Sequence, residues 1–314
     1  MSESQSGDAA APSCAERGSG QGAAEAALAV LLDRLHDAQP LRVWSLIITF
    51  FGDAVAPRGG EVWAGTVSEL LGAMGVDAAA VRAALSRLAR DGWLERTRVG
   101  RLSYYALSGA GRAAFGPAIA RVYATPRQAT SARLRIVCLP DGDPRGGLRD
   151  AALKSGYGQL APGVLLGTDV SPPLAGEGAE RCTVLAADVL SGPRRELVER
   201  AFDLAPLARR YHQFIEGFAP LADALESAPP VVGEQAMVAR LLLIHAYRRL
   251  ILRDPGLSPD LLPGDWPGLA ANALCARLYR QLLPASDEWL SQRALCRDGA
   301  LPAPDASYFD RFPD

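Results

Sequence analysis

The chain has 314 residues, 49% of them hydrophobic, 22% charged and 7% aromatic. That apolar content excludes a disordered or collagen-like chain, and the length allows two or three packed domains. The formal net charge of −2 hides an asymmetry: residues 1–80 carry −6, residues 81–135 carry +9 with only Asp91 and Glu95 as acids, and the rest carries −5.

In chain order, residues 1–22 are rich in Ser, Ala and Gly and read as a flexible arm, with neither the basic start nor the apolar core of a secretory signal. A soluble, cytoplasmic protein with no membrane partner is expected. Residues 23–36 fit one helix, with Leu28, Leu31, Leu32 and Leu35 on one face. Pro40 opens a second helix, whose Val43, Trp44, Ile47, Ile48 and Phe51 form a wide apolar stripe. This is the longest apolar stretch, about half of a membrane span.

After the turn at 57–60, Thr66-Val-Ser-Glu69 has the form of a capping box that would start a helix carrying Leu70, Leu71 and Met74. Gly75 breaks it, and Asp77 can cap a third helix over about 78–90. There Val81, Leu85 and Leu88 face inward, while Arg82, Ser86 and Arg90 lie at i, i+4, i+8 on another face with Arg87 nearby. Gly92 ends the helix, and residues 93–99 and 101–107 alternate as two strands around Gly100, with Arg96, Arg98 and Arg101 near the hairpin tip. Two short helices, a glycine turn and a hairpin make a winged helix-turn-helix. Its recognition helix fits a major groove about 12 Å wide. Arg82, Ser86 and Arg87 are the candidates for reading bases, since a guanidinium pairs bidentately with guanine. Arg90, Arg96, Arg98 and Arg101 are the candidates for phosphate. Lys154 is the sole lysine, so the missing carboxylates of this segment are a better signal than any one arginine.

The segment resembles the N-terminal domain of the PaaX-type repressors, regulators of phenylacetic acid degradation. The pieces SLIITFFGD, PRGGEVW, VRAALSRLARDGWL and RVGRLSYYAL match that family in order and spacing, and so do GYGQLAPGVLLG at 156–167 and YRRLILRDPGLSPDLLPGDWPG at 247–268. The likeness covers about residues 38–285. It implies a homodimeric repressor on a palindromic double-stranded operator, released by an aryl-coenzyme A thioester such as phenylacetyl-CoA, with no other cofactor. One departure is visible: where the family has a tryptophan-rich strand opening its middle domain, residues 132–139 here read ARLRIVCL.

The overall expectation is an α+β multidomain protein. A winged helix-turn-helix over 38–125 follows the arm and helix of 1–37. A ferredoxin-like middle domain over 130–203 has the strand and helix order of a small α+β sheet, and the resemblance implies a Cas2-like shape for it. A helical domain over 204–314 serves effector binding and dimerisation, with helices at about 204–227, 233–253 and 267–283. Tyr247, Arg248, Arg249 and Arg253 are its candidate effector residues, the arginines as forks for phosphate. Cations near a helix C-terminus, paired with Asp254 or Asp265, explain the same arginines and are the favoured reading of them. The alternative function is an enzyme. A metal-dependent nuclease would need acids such as Asp141, Asp143, Asp169 and Asp188, and a CoA-thioester hydrolase would need a nucleophile beside His212 or His245. The five scattered cysteines, with no CxxC pair, argue against a disulfide framework or zinc site.

Overall fold

The computed structural model describes residues 14–37, 40–125, 130–131, 133–140, 147–227 and 231–313. It is a mixed α+β structure in which helices outweigh three small antiparallel sheets. No helix among the described residues is long and apolar enough to cross a membrane.

Helix α1 spans Cys14–Asp37 and so takes in residues that composition assigned to a flexible arm. Its buried Ala24, Leu28 and Leu31 anchor the C-terminal half. Once such a nucleus exists, each further turn backward adds hydrogen bonds at little cost. Helix α2, Val43–Phe50, buries every residue from Ser45 onward and continues as a π turn, Phe51–Val55. Trp44, expected on the inner stripe, lies in the first turn and stays 42% exposed.

Strand β1 (Glu61–Trp63), helices α3 (Ala64–Ala73) and α4 (Ala78–Arg90), and strands β2 (Leu94–Val99) and β3 (Leu102–Leu107) follow. The capping box is not used. Helix α3 starts two residues before Thr66, with Trp63 at the cap position and no side chain on the free amides. The sheet explains this, because β1 pairs with β3 and delivers the chain into α3 directly from Trp63. Glu69 turns instead to Arg293, whose Nε donates to it over 3.0 Å. The Asp77 cap does form: its Oδ1 accepts from the amides of Ala79 at 2.7 Å and Ala80 at 3.2 Å. Gly75, between α3 and α4, holds φ +76°, the left-handed region that a side chain disfavours. The β2–β3 register ends at Val99 opposite Leu102, closed by Gly100 at φ +58°. Helix α5, Gly109–Val122, then crosses back.

The second sheet holds β4 (Leu134–Cys138), β5 (Gly158–Ala161), β6 (Val164–Thr168) and β7 (Thr183–Ala187), antiparallel in the order β5-β6-β4-β7. Helix α6 (Gly147–Lys154) joins β4 to β5, while α7 (Arg194–Ala201) follows β7 and lies against β5. Three long helices come next: α8 (Ala205–Ser227), α9 (Gly233–Ile251) and α10 (Gly268–Arg293). Helix α10 continues through Pro284, ten residues past its expected end, because Ser286, Trp289 and Leu290 are buried along the same face. A two-residue hairpin, β8 (Leu295–Cys296) with β9 (Gly299–Ala300), and the short α11 (Ala306–Phe309) follow.

The hydrophobic interior ignores sequence order. One large core contains Leu46, Phe50, Leu70, Val81, Leu85 and Tyr105 together with Phe214, Leu241, Ile244, Leu278 and Phe312. Residues 134–202 contribute separate, smaller clusters around the second sheet.

Candidate nucleic-acid interface

Helix α4 divides as its periodicity requires. Val81, Leu85 and Leu88 are buried, with Leu85 1% exposed, while Arg82, Ser86, Arg87 and Arg90 face solvent. Strand β2 packs beside α4, and Leu94 on its inner face joins the same core. Strand alternation puts Arg96 and Arg98 on the Leu94 side of the hairpin, toward the helix pair rather than away from it. All seven predicted residues are exposed, on α4 and the adjoining β2–β3 hairpin, with Arg101 in the hairpin turn.

Their partners are few and weak. Asp91 meets Arg87 at 3.4 Å and Arg90 at 3.7 Å, with both arginine side chains more than two-thirds exposed. Such surface pairs contribute at most about 1 kcal/mol, so the guanidiniums can exchange the carboxylate for a phosphate. Arg96 donates to Ser103 Oγ from Nη2 at 2.8 Å, and Arg98 donates to the Gly100 carbonyl at 3.2 Å. Among the described residues, Arg82, Ser86 and Arg101 make no side-chain hydrogen bond.

Sequence reading missed a polar cluster behind this surface. Asp53, wholly buried in the π turn, accepts from Arg240 Nε at 2.7 Å, Tyr123 Oη at 2.5 Å and Arg311 Nη1 at 3.1 Å. Arg240, also wholly buried, reaches Ser286 Oγ at 3.1 Å and Asp287 at 3.0 Å. Burial alone would raise the Asp53 carboxyl, but Arg240 and Arg311 hold it below its ordinary value. Arg311 also stacks 4.2 Å over the Tyr123 ring. The cluster joins the end of α2 to α5, α9, α10 and the segment after α11. Two signals were available: Asp53, the acid that ends the apolar run of 43–51, and an arginine inside the apolar run of α9.

The four candidate effector residues do not converge. Tyr247 is buried, accepts from Asn272 Nδ2 at 2.8 Å, and lines a cavity of about 130 Å³ with Tyr211, Asp254 and Trp266. Burial, first, and then Cys275 raise its phenol above the ordinary value. Arg248 turns to α2, donating to Ser45 Oγ at 3.1 Å; burial and then Arg249 lower it to about 10. Arg249 and Arg253 are exposed and share a different hollow. Asp254, offered as an arginine partner, instead accepts from Tyr211 Oη at 2.8 Å and the Gly256 amide at 2.7 Å.

Of the acids considered for a nuclease, Asp169 pairs with Arg135 at 3.1 Å, Asp188 is exposed, and Asp141 and Asp143 lie outside the described residues. His245 is buried, with Nδ1 3.1 Å from Thr49 Oγ1, and burial followed by Arg248 and Arg249 lowers it to about 3. His212 is exposed on α8.

Two family models match this chain: that of the PaaX-like proteins over residues 42–111, and that of the PaaX-like C-terminal domain over residues 202–292. The first takes in α2 to the start of α5, and the second takes in α8 through most of α10. The transcriptional repressor PaaX of Escherichia coli (strain K12) is 35% identical over 290 residues, spanning 88% of this chain and 92% of that protein. Among solved structures, the uncharacterized protein Rv0674 from Mycobacterium tuberculosis is 22% identical, with a TM-score of 0.48 over 73% of this chain and 91% of that one. With both family models and the E. coli relative in agreement, the chain is a member of the PaaX-type transcriptional repressor family.

Proposed function

We propose that the protein is a transcriptional repressor of phenylacetic acid catabolism that binds operator DNA through a winged helix-turn-helix over residues 43–122. The single observation behind this reading is the exposed, acid-poor surface that α4 and the β2–β3 hairpin build together. A helix of thirteen residues presenting Arg82, Ser86 and Arg87 suits the major groove, while Arg90, Arg96, Arg98 and Arg101 suit the flanking phosphates. Membership of a repressor family makes this a regulator rather than the nuclease or thioester hydrolase that the sequence also allowed.

In this reading the protein acts as a homodimer on two half-sites, since one helix reads too few base pairs for an operator. The ferredoxin-like, Cas2-like sheet of 134–187 links the protomers. The helical part senses an aryl-CoA thioester such as phenylacetyl-CoA. Release requires the effector to favour an arrangement whose recognition helices no longer match the half-site spacing.

Fluorescence anisotropy with DNA from upstream of the protein's own gene and its neighbours tests the proposal. The expected result is sequence-preferring binding that weakens with salt and is released by phenylacetyl-CoA. Binding that shows no preference among sequences, in a genome-wide selection as well, would overturn the repressor reading. Binding indifferent to every aryl-CoA would overturn the effector.

A further inference from the structure

A cavity of about 360 Å³ opens between α1, α8 and α9. Its floor is apolar, built by Leu31, Phe214, Phe218 and Leu242. Around it stand Arg34, Arg210, Arg249 and Arg253, with no acid among the lining residues. All four arginines are exposed, and among the described residues none has an ion-pair or hydrogen-bond partner. Elsewhere arginines with an acid in reach pair with it, as Arg58, Arg277, Arg293 and Arg297 do, whereas no acid lines this cavity.

The charges are also close together. Partial burial, first, and then Arg210, Arg249 and Arg42 lower Arg253 from its ordinary value. The guanidinium of Arg34 on α1 lies against Gly217 of α8, where a Cβ would come within 2.6 Å of its Nη1. Uncompensated guanidiniums around an apolar hollow repel one another, and an anion relieves that repulsion. The volume falls near the lower end of the roughly 300–1,000 Å³ typical of small-molecule sites.

Two walls of the cavity touch the helix pair that the function needs. Helix α1 contributes Leu31 and Arg34, and two residues on its His36 Nε2 lies 2.8 Å from the Met74 carbonyl at the end of α3. Helix α9 contributes His245, whose Nδ1 meets Thr49 Oγ1 on α2. The Thr49 hydroxyl proton goes to the Ser45 carbonyl at 2.8 Å, so the proton of the 3.1 Å contact lies on His245 Nδ1. Helix α2 packs in turn on α4.

We infer that this cavity is a binding site for an organic anion with an apolar body, its charge held by Arg34, Arg210, Arg249 and Arg253, and that occupancy is felt at α3–α4 through His36 and Thr49. The binding half stands by itself, whereas the coupling half rests on the repressor reading. Two sources share the chemistry, a free arylalkanoate with its carboxylate and a coenzyme A thioester with its phosphates.

The probe is 1-anilinonaphthalene-8-sulfonate, an aromatic anion, titrated into the full chain without DNA. Its uncharged counterpart N-phenyl-1-naphthylamine is run in parallel. Arg249→Gln with Arg253→Gln should weaken the anion at least tenfold and leave the neutral probe unchanged. The same pair of changes at the distant, exposed Arg133 and Arg200 should do nothing. Ala246→Trp, which fills the cavity, should block both probes. Equal affinity of the anion for wild type and the Arg249/Arg253 variant overturns the site. Displacement by phenylacetate or by phenylacetyl-coenzyme A then identifies the source of the anion, and a cavity that yields its probe to neither is not a ligand site.

For the coupling, bound anion should weaken operator DNA at least threefold in wild type, while His36→Ala keeps the probe's affinity and loses the shift. Operator affinity that is the same with and without bound anion overturns the coupling. Failure to bind operator even without the probe overturns the repressor reading instead, and leaves the binding result standing.

Discussion

The arginines of the α4–hairpin surface and those around Asp53 are one residue type in two opposite conditions. On the surface, Arg82, Arg98 and Arg101 are exposed and carry at most a weak partner, so their charge is available to something outside the molecule. Around Asp53, Arg240 and Arg311 donate to buried groups of the π turn and of α10, two distant parts of the chain. The difference lies in the acids and in burial, not in the arginines. An arginine therefore signals function only where the fold denies it a partner.

The sharpest way to break this comparison is Arg240→Ala. This takes from Asp53 one of its two buried cations and leaves Asp287 with Arg58 alone, which should cost about 3–5 kcal/mol in urea denaturation. Arg240→Met with Asp53→Leu and Arg311→Met should recover much of that loss, since these apolar replacements leave neither Asp53 nor Arg311 as an unpaired buried charge, and Asp287 keeps Arg58. A loss below about 1 kcal/mol would mean that water already reaches the cluster. On the surface, Arg82→Ala should leave denaturation unchanged within about 0.5 kcal/mol. It should relax base preference at one position by about 1–3 kcal/mol, read from competition with mutated operators.

His245 sits between the two conditions, an uncharged ring held among Arg248 and Arg249. Its folded value of about 3 lies below its ordinary 6.5, so between those limits the unfolded chain binds the extra proton. The ring's contribution is complete above pH 6.5 and is lost as the pH falls, at on the order of 1 kcal/mol per pH unit. His245→Gln should flatten the stability profile between pH 6.5 and 5; parallel profiles would show that the ring is not held neutral. The smallest effect is expected from Arg98→Ala, which should weaken all DNA sequences alike and reduce the salt slope by about 1. If Arg82→Ala and Arg98→Ala behave identically, the division between reading and anchoring residues is wrong.

What the sequence revealed was local. The α4 pattern of Val81, Leu85 and Leu88, the Asp77 cap and the hairpin around Gly100 follow from spacings within a few residues, and the fold keeps them. The Thr66–Glu69 box has the right spacing too, yet pairing of β1 with a strand forty residues away decides where α3 starts. Asp53 and Arg240 are 187 residues apart, and nothing near either one names the other. The same holds for the cavity. Arg249 and Arg253 were legible as neighbours on one helix face, whereas Arg34 and Arg210 join them only because α1 lies against α8. Tyr247 and Arg248, adjacent in sequence, are carried apart by the helical turn.

The shared interior of the first and last helices has a consequence for how the protein is made. The segment holding α2 and α4 leaves the ribosome long before α9 and α10, whose residues complete its core. At about 5–20 residues per second, Asp53 waits on the order of ten to forty seconds for Arg240, and longer still for Arg311. During that interval the apolar side of α2 has no permanent cover and is a surface for chaperones. The core under α4 thus closes late in translation, and a nascent chain arrested before Arg240 would display that helix on an unfinished body.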